Sequence, residues 1–292
     1  MHMDVSVIIV SWKVRSLLER CLRSVYSQTK GMSFEVIVTD NDSRDGSVEM
    51  VSTAFPEATL IASNRNLGFA AGCNAAIAQS RGEFVLLLNP DCELREDAVS
   101  KMVSWMRAHP DVAILGPRLQ NEDGSTQESV ARFPRLLDQA LVMLKLHNVA
   151  PWLPSLKRYF ARDFDYARDA AVDQVKGAAF MIRRSAMEKI GLLDERFFIW
   201  YEEVDWCKRA HDSGLPVWYT ASARVTHGGG ASFGQVFGPA RQRMLNKSMR
   251  QYMRKHHGML PYLALLALHP LSMLLAYIAA PMKNKRYVAT IK

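Results

Sequence analysis

The chain has 292 residues, 49% of them hydrophobic, with 16 glycines and 12 prolines, which excludes a disordered or fibrous protein and allows one large or two modest domains. Its net charge of +8 is uneven: from Arg224 onward there are 11 Lys or Arg and no Asp or Glu, so the body is nearly neutral and the tail strongly basic. Cys21, Cys73, Cys92 and Cys207 form no CxxC pair, which argues against a disulfide framework and for a reducing compartment; MHMDVSVIIVSW lacks a basic n-region and cleavage site, so no signal peptide is expected.

Asp4 to Val10 (DVSVIIV) is a buried-strand pattern. The next segment places Val14, Leu17, Leu18, Cys21, Leu22 and Val25 on one helix face. Further strands are expected at Phe34 to Thr39, Thr59 to Ala62, Phe84 to Leu88 and Val112 to Leu115, with helices at Ser47 to Ala54, Ala70 to Gln79 and Glu96 to His109. This alternation predicts an α/β fold with a mostly parallel, doubly wound sheet and right-handed crossovers.

Ligands of such sheets sit beyond the carboxyl ends of the strands. Three polar clusters fall there: Asp40-Asn41-Asp42-Ser43, Asn64-Arg65-Asn66-Leu67-Gly68, and Asn89-Pro90-Asp91. Each alone also reads as a turn or a cap, but turn chemistry without a ligand would be shared between both ends of the strands. Ser11-Trp12-Lys13-Val14 carries no GxGxxG and the chain has no GxxxxGK[ST], which removes dinucleotide-dehydrogenase and P-loop readings.

VSVIIVSW, VIVTDNDSRDGS, NRNLGFAAGCN, LLLNPD and GAAFMIRRSAMEKIGLLDERFFIWYEEVDWCKRAHDSG, in this order between Val5 and Gly230, resemble the family 2 inverting glycosyltransferases of GT-A fold, in particular their rhamnosyltransferase-like branch. The resemblance implies a nucleotide-sugar donor held by Ser11, Asp40, Asn41, Asp42, Arg65, Asn66, Gly68, Asn74 and Asn89, with Asp40 reaching the base. It also implies a divalent metal, Mg²⁺ or Mn²⁺, on Asp91, with His227 of ARVTHGGG as the second ligand. Independently, Asp40 can accept from the imide N–H of uracil or thymine, and a diphosphate leaving group needs charge neutralisation through oxygen ligands. Asn89 stands where the family usually has an aspartate, which removes one negative charge from the metal corner.

The acid cluster Trp200-Tyr201-Glu202-Glu203-Val204-Asp205 opens a helix, where carboxylates complement the dipole. The aromatics Phe197, Phe198, Trp200 and Tyr201 before it suggest a wall for a sugar, so Trp200, Tyr201 and Glu202 are expected to bind the acceptor. The family's Glu-Asp-x-Asp motif puts its second acid at Glu203, the expected base; Asp205 is the second candidate and Asp194 is expected to be structural. Residues 131 to 172 read as an irregular insertion with short helices.

Arg243, Lys247, Arg250 and Arg254 line one face of a helix between Pro239 and His257, opposite Leu245, Met249, Tyr252 and Met253. Residues 256 to 282 lack Lys, Arg, Asp and Glu, and His269-Pro270 is expected to split this apolar stretch into two shorter helices. With basic residues on both flanks, Arg254-Lys255 and Lys283, Lys285 and Arg286, an in-plane or re-entrant pair on the cytoplasmic face is preferred over a single span. Packing of this pair on the body is the alternative. Nucleic acid is disfavoured because no aromatics interleave the charges.

The expectation is therefore a glycosyltransferase domain over 1–238, with a nucleotide-sugar half 1–118 and an acceptor half 119–238, followed by membrane-associating helices over 239–292. Its reaction is expected to move a sugar, rhamnose from dTDP-rhamnose in the first instance or a UDP-hexose or UDP-N-acetylhexosamine residue, to a lipid-linked or polysaccharide acceptor. A nucleotidyltransferase and a catalytically silent nucleotide-sugar-binding protein are the other classes considered.

Overall fold

Seven consecutive buried residues, Val5–Ser11, make β1 the centre of the first half, because a strand covered on both faces can be apolar throughout. In the computed structural model the described residues are 3–229 and 234–289, with side chains through 280. Helix α1 (Arg15–Gln28) buries Leu18, Cys21, Leu22 and Val25 against the sheet. Strands β2 (Phe34–Asn41), β3 (Thr59–Ser63) and β4 (Phe84–Leu88) are all parallel to β1, in the order β3-β2-β1-β4. Helices α2 (Ser47–Ala54) and α3 (Phe69–Ile77) are the crossovers.

Beyond β4 the sheet turns mixed. After β5 (Cys92–Arg95), α4 (Ala98–Ala108) and β6 (Ile114–Gln120), the chain makes β7 (Val130–Ala131), α5 (Leu136–Met143), α6 (Pro154–Tyr159), β8 (Ala170–Ala171) and β9 (Gln174–Val175). It then returns as β10 (Ala179–Arg183), which runs antiparallel between β4 and β6. After α7 (Arg184–Ile190) and α8 (Glu202–Asp212), β11 (Val217–His227) pairs parallel with β6 and antiparallel with β5 and β8. Strands from both sides of residue 118 thus form one nine-stranded sheet, and β10 and β11, which the sequence pattern did not reveal, complete it.

The sheet places the carboxyl ends of β1, β2, β3, β4 and β11 on one edge. Ser11 lies opposite Asp40, Asn41 opposite Ser63, and His227 opposite Cys92. The start of β10 joins them, since the Asn89 amide donates to the Ala178 carbonyl at 2.8 Å.

The basic helix Gly238–His257 forms as its spacing predicts, burying Met249, Tyr252 and Met253 while Arg243, Lys247 and Arg254 stay exposed. The apolar stretch differs from expectation: one helix, Met259–Ala289, runs through His269-Pro270 without a break. Proline removes one helical hydrogen bond, but packing along the basic helix on both sides of Pro270 outweighs that loss. Arg254 stacks on Tyr262, Asn246 Nδ2 donates to Ser272 Oγ at 3.0 Å and lies 3.1 Å from His269 Nδ1, and Phe237 meets Tyr277. The pair is therefore an antiparallel hairpin turned at Gly258 (φ 89°). Gly230 and the side chains of Lys283, Lys285 and Arg286 lie outside the described residues.

Candidate active site

The carboxyl edge of the sheet carries buried polar atoms with no partner among the described residues. Ser11 Oγ and Asp40 Oδ2 are two of them, side by side at the ends of β1 and β2. The other Asp40 oxygen accepts from the Ser43 amide at 3.0 Å, so the turn role and an unused acceptor coexist in one side chain. A buried acceptor left without a donor costs about 1–3 kcal/mol, a cost that a ligand N–H removes.

Next to this pair the loop after β3 closes the cavity. Asn41 is spent on that loop, donating to Gly68 O at 3.0 Å and accepting from the Leu67 amide at 3.4 Å, while Asn66 Oδ1 accepts from the Gly68 amide at 2.9 Å. Gly68 has φ 85°, and a Cβ there would meet the Phe198 carbonyl at 2.4 Å, so the site needs glycine. Trp12, Asn66, Asn89, Asp91, Phe198 and Ile199 line the resulting cavity. Arg65, next to Asn66 in the chain, is exposed. Asp42, also in left-handed backbone (φ 59°), accepts from Arg44. Asn74 lies apart: its amide donates to Leu193 O and Glu195 Oε1 at 2.9 Å and accepts from the Leu193 amide, fixing α3 to the 193–195 turn.

Asp91 and His227 meet although 136 positions separate them in the chain, because β11 brings its last residue opposite Cys92. His227 Nε2 is 3.5 Å from Asp91 Oδ1 and has no hydrogen-bond partner among the described residues. Its other nitrogen lies 2.6 Å from Gln127 Oε1. Gln127 is oriented by its Nε2 donating to Asn121 Oδ1 at 3.0 Å, so Oε1 accepts and His227 Nδ1 carries the proton. Burial holds the imidazole below its ordinary pKa against the pull of Asp91, leaving a neutral ring with the Nε2 lone pair beside a carboxylate.

That donor set fits a divalent cation. Adjacent ligands on an ion with bonds of about 2.1 Å stand about 3 Å apart, close to the separation found, and a histidine held through its second nitrogen is the usual arrangement around a ligating ring. Cys92 belongs to the same group of possible ligands, but burial pushes its thiol well above the ordinary value and it donates to Ala178 O, so it stays protonated.

The three acids of α8 diverge. Glu203 lies against Gly177, where a Cβ would meet its Cβ at 3.3 Å, and its Oε2 has no partner among the described residues. Burial, the largest influence, raises its carboxyl above the ordinary glutamate value, against the backbone N–H groups of the helix start and Gly177. Lys176, which the sequence did not single out, is the cation facing both Glu203 and Asp91, and it donates to Gln127 Oε1 at 3.2 Å. Glu202, expected at the acceptor, is instead buried towards Cys73 of α3, and burial followed by the Glu203 charge raises it well above normal.

Asp205, the second candidate for the base, is fully buried and spent. Its oxygens take Arg209 Nε at 2.9 Å, Lys255 Nζ at 2.7 Å and His256 Nε2 at 2.7 Å. Burial works against ionisation, yet the His256 and Lys255 bonds hold its carboxyl below the ordinary value. Asp194 is paired with Arg196 and with Lys255 at 2.8 Å. The aromatic wall is also narrower than expected. Phe198 lines the cavity with Ile199, whereas Tyr201 packs on Tyr252 and donates to Gln139, and Trp200 is partly buried in the same cluster.

Known proteins resemble this chain in sequence and in fold. The N-acetylglucosaminyl-diphospho-decaprenol L-rhamnosyltransferase of Mycobacterium tuberculosis is 27% identical over 234 residues, 76% of this chain and 75% of that protein. The low-salt glycan biosynthesis hexosyltransferase Agl10 of Haloferax volcanii is 28% identical over 223 residues, 73% of this chain and 64% of that one. The mannosyltransferase PcManGT from Pyrobaculum calidifontis, solved with GDP-Man and Mn²⁺, superposes with a TM-score of 0.58 at 18% identity, covering 96% of this chain and 74% of that one, and shares its fold. The model of Glycosyl transferase family 2 matches residues 6–191, most of the sheet and its crossovers. The chain belongs to that family and is a glycosyltransferase of GT-A fold.

Proposed function

We propose that the protein transfers a sugar with inversion from a pyrimidine nucleotide-sugar, dTDP-rhamnose in the first instance, to a lipid-linked glycan acceptor in cell-surface glycan synthesis. One observation carries this reading. Four buried polar atoms have no partner among the described residues: Ser11 Oγ, Asp40 Oδ2 and His227 Nε2 at strand ends of one sheet edge, and Glu203 Oε2 of α8, which lies against Gly177 just before β10, as a bound donor and acceptor require. The mycobacterial relative, named for rhamnose transfer to a decaprenol-linked sugar, supports the choice of donor and acceptor; UDP-sugars satisfy Asp40 equally.

In this reading Asp40 and Ser11 hold the base, and Asn66 and the Gly68 loop close over the nucleotide. Phe198 and Ile199 exclude water beside the sugar. Asp91 and His227 would hold a divalent ion, Mg²⁺ or Mn²⁺, which supplies charge neutralisation at the diphosphate. Glu203 takes the proton of the acceptor hydroxyl as that oxygen attacks the anomeric carbon. The bond from this carbon to the diphosphate oxygen breaks, and the nucleoside diphosphate leaves with the electron pair. A base of raised pKa loses less driving force when it accepts a proton near neutral pH.

The hairpin supports an in-plane seat on the cytoplasmic face of a membrane. An 18-residue window within Met259–Ala280 has a mean hydropathy of 2.0, and one side of the helix is held along the basic helix. Its other side exposes Leu260, Leu263, Leu271, Leu274 and Ile278. A donor panel of dTDP-rhamnose, UDP-glucose and UDP-N-acetylglucosamine, with Mn²⁺ and a polyprenyl-diphosphate-sugar acceptor, tests the reading. Release of one nucleoside diphosphate is expected. Binding of the donors without turnover of any would favour a silent binding protein.

A further inference from the structure

The basic helix lies beyond the segment matched by the family model, yet it grips the active-site chain at three points. Lys255 Nζ bridges Asp194 Oδ2 at 2.8 Å and Asp205 Oδ1 at 2.7 Å. His256 Nε2 stands 2.7 Å from the same Asp205 oxygen, and Ser248 Oγ donates to the Ile199 carbonyl at 2.8 Å.

What lies between these points is the working part of the site. The Phe198 carbonyl accepts from the Phe69 amide at 2.8 Å and packs on Gly68, so the wall and the donor loop move together. Trp200 and Tyr201 then adopt left-handed backbone in succession, φ 61° and 73°, a conformation that large side chains keep only when their surroundings enforce it. These two residues set the direction in which α8 leaves, and with it the position of Glu203 against Gly177. A fully buried carboxylate such as Asp205 is held only while its cations are present.

We propose that Lys255, assisted by His256 and Ser248, is a positioning residue that clamps Asp194–Asp205 so that Glu203 and the Phe198 wall face the donor cavity. Its effect on turnover rests on Glu203 being the base; its effect on backbone order does not.

The test uses the full chain with Lys255→Met, Lys255→Arg and the milder Ser248→Ala, should the first fail to fold. Backbone amide exchange of residues 197–206 is expected to quicken by about tenfold or more in Lys255→Met, with β1, β2 and β4 unchanged, and to recover in Lys255→Arg. UDP and dTDP affinities should stay within about twofold, while kcat on the best donor of the panel falls about tenfold with little change in donor KM. Unchanged exchange at 197–206, or exchange quickened equally throughout the sheet, overturns the clamp. Full activity in Glu203→Gln would sink the base assignment alone, because the exchange result does not depend on it.

Discussion

His227 Nε2 faces Asp91 Oδ1 across 3.5 Å while Gln127 Oε1 holds the opposite ring nitrogen at 2.6 Å, so a glutamine in an irregular loop decides which lone pair His227 offers. Replacing Gln127 by Met frees the ring to turn and to change tautomer. Mn²⁺ affinity measured by calorimetry in the presence of UDP should fall about 10- to 100-fold. His227→Ala should lose more, and Asn89→Asp, which adds a carboxylate at the same corner, should gain. A Gln127→Met chain with unchanged affinity would show that the histidine needs no such support.

Glu202 and the aspartates clamped by Lys255, Asp194 and Asp205, make opposite demands on pH. Glu202 is buried, has a side-chain oxygen without a partner among the described residues, and its raised pKa means that its stability contribution is complete below the unfolded glutamate value of about 4.3 and is lost as pH rises towards the folded value. Glu202→Gln should therefore raise the melting temperature at pH 8, by a few degrees for about 1 kcal/mol in a chain of this size, and the gain should vanish near pH 4. Asp194 and Asp205 carry the reverse sign. Their depressed pKa values give stability above the unfolded aspartate value that disappears as acid protonates them, so the basic helix should loosen first on acidification.

The convergence at the carboxyl edge was legible because parallel strands send their carboxyl ends to the same side, so Asp40, Asn66 and Asp91 had to meet there once the βα alternation was read. His227 was legible only through resemblance: the long excursion after β6 and the antiparallel entry of β10 leave no local signal for where β11 ends. The fate of Asp205 was hidden for a similar reason. Its helical phase shows that it parts from Glu203, but which partners wait on that face depends on Lys255 and His256, some fifty residues away. Lys176 and Gln127 carry no motif; lying two residues before Ala178 and at the foot of a loop, they become visible only when the strands are in register. Pro270 misled because a helix packed along its length tolerates a missing hydrogen bond that an isolated one does not.

Gly68→Ala should cost about 2–4 kcal/mol, since the new methyl meets the Phe198 carbonyl at 2.4 Å in backbone that L-residues disfavour. Gly124, at φ 81° with nothing within 4 Å of the same position, separates the two causes: Gly124→Ala should cost only the backbone part, about 1 kcal/mol. Urea unfolding of both variants gives the comparison. Equal costs would mean that the loop yields to the methyl group.

The exposed stripe of the apolar helix should decide membrane binding. Changing Leu260, Leu263, Leu271 and Leu274 to Ser removes apolar surface worth about 1.5–3 kcal/mol per side chain when fully buried. Flotation with vesicles containing anionic lipid should fall by more than about tenfold, while the melting temperature stays close to that of the wild type. Retained flotation would place the contact elsewhere.

The most direct test of the whole account follows the anomeric carbon by NMR during transfer from the donor that the panel selects, for the wild-type chain and for Glu203→Gln. The account predicts a product of inverted configuration from the wild type, and a rate lower by about 10²- to 10⁴-fold in Glu203→Gln with nucleotide binding intact. A product that retains the donor's configuration, or a Glu203→Gln chain that transfers at the wild-type rate, would contradict it.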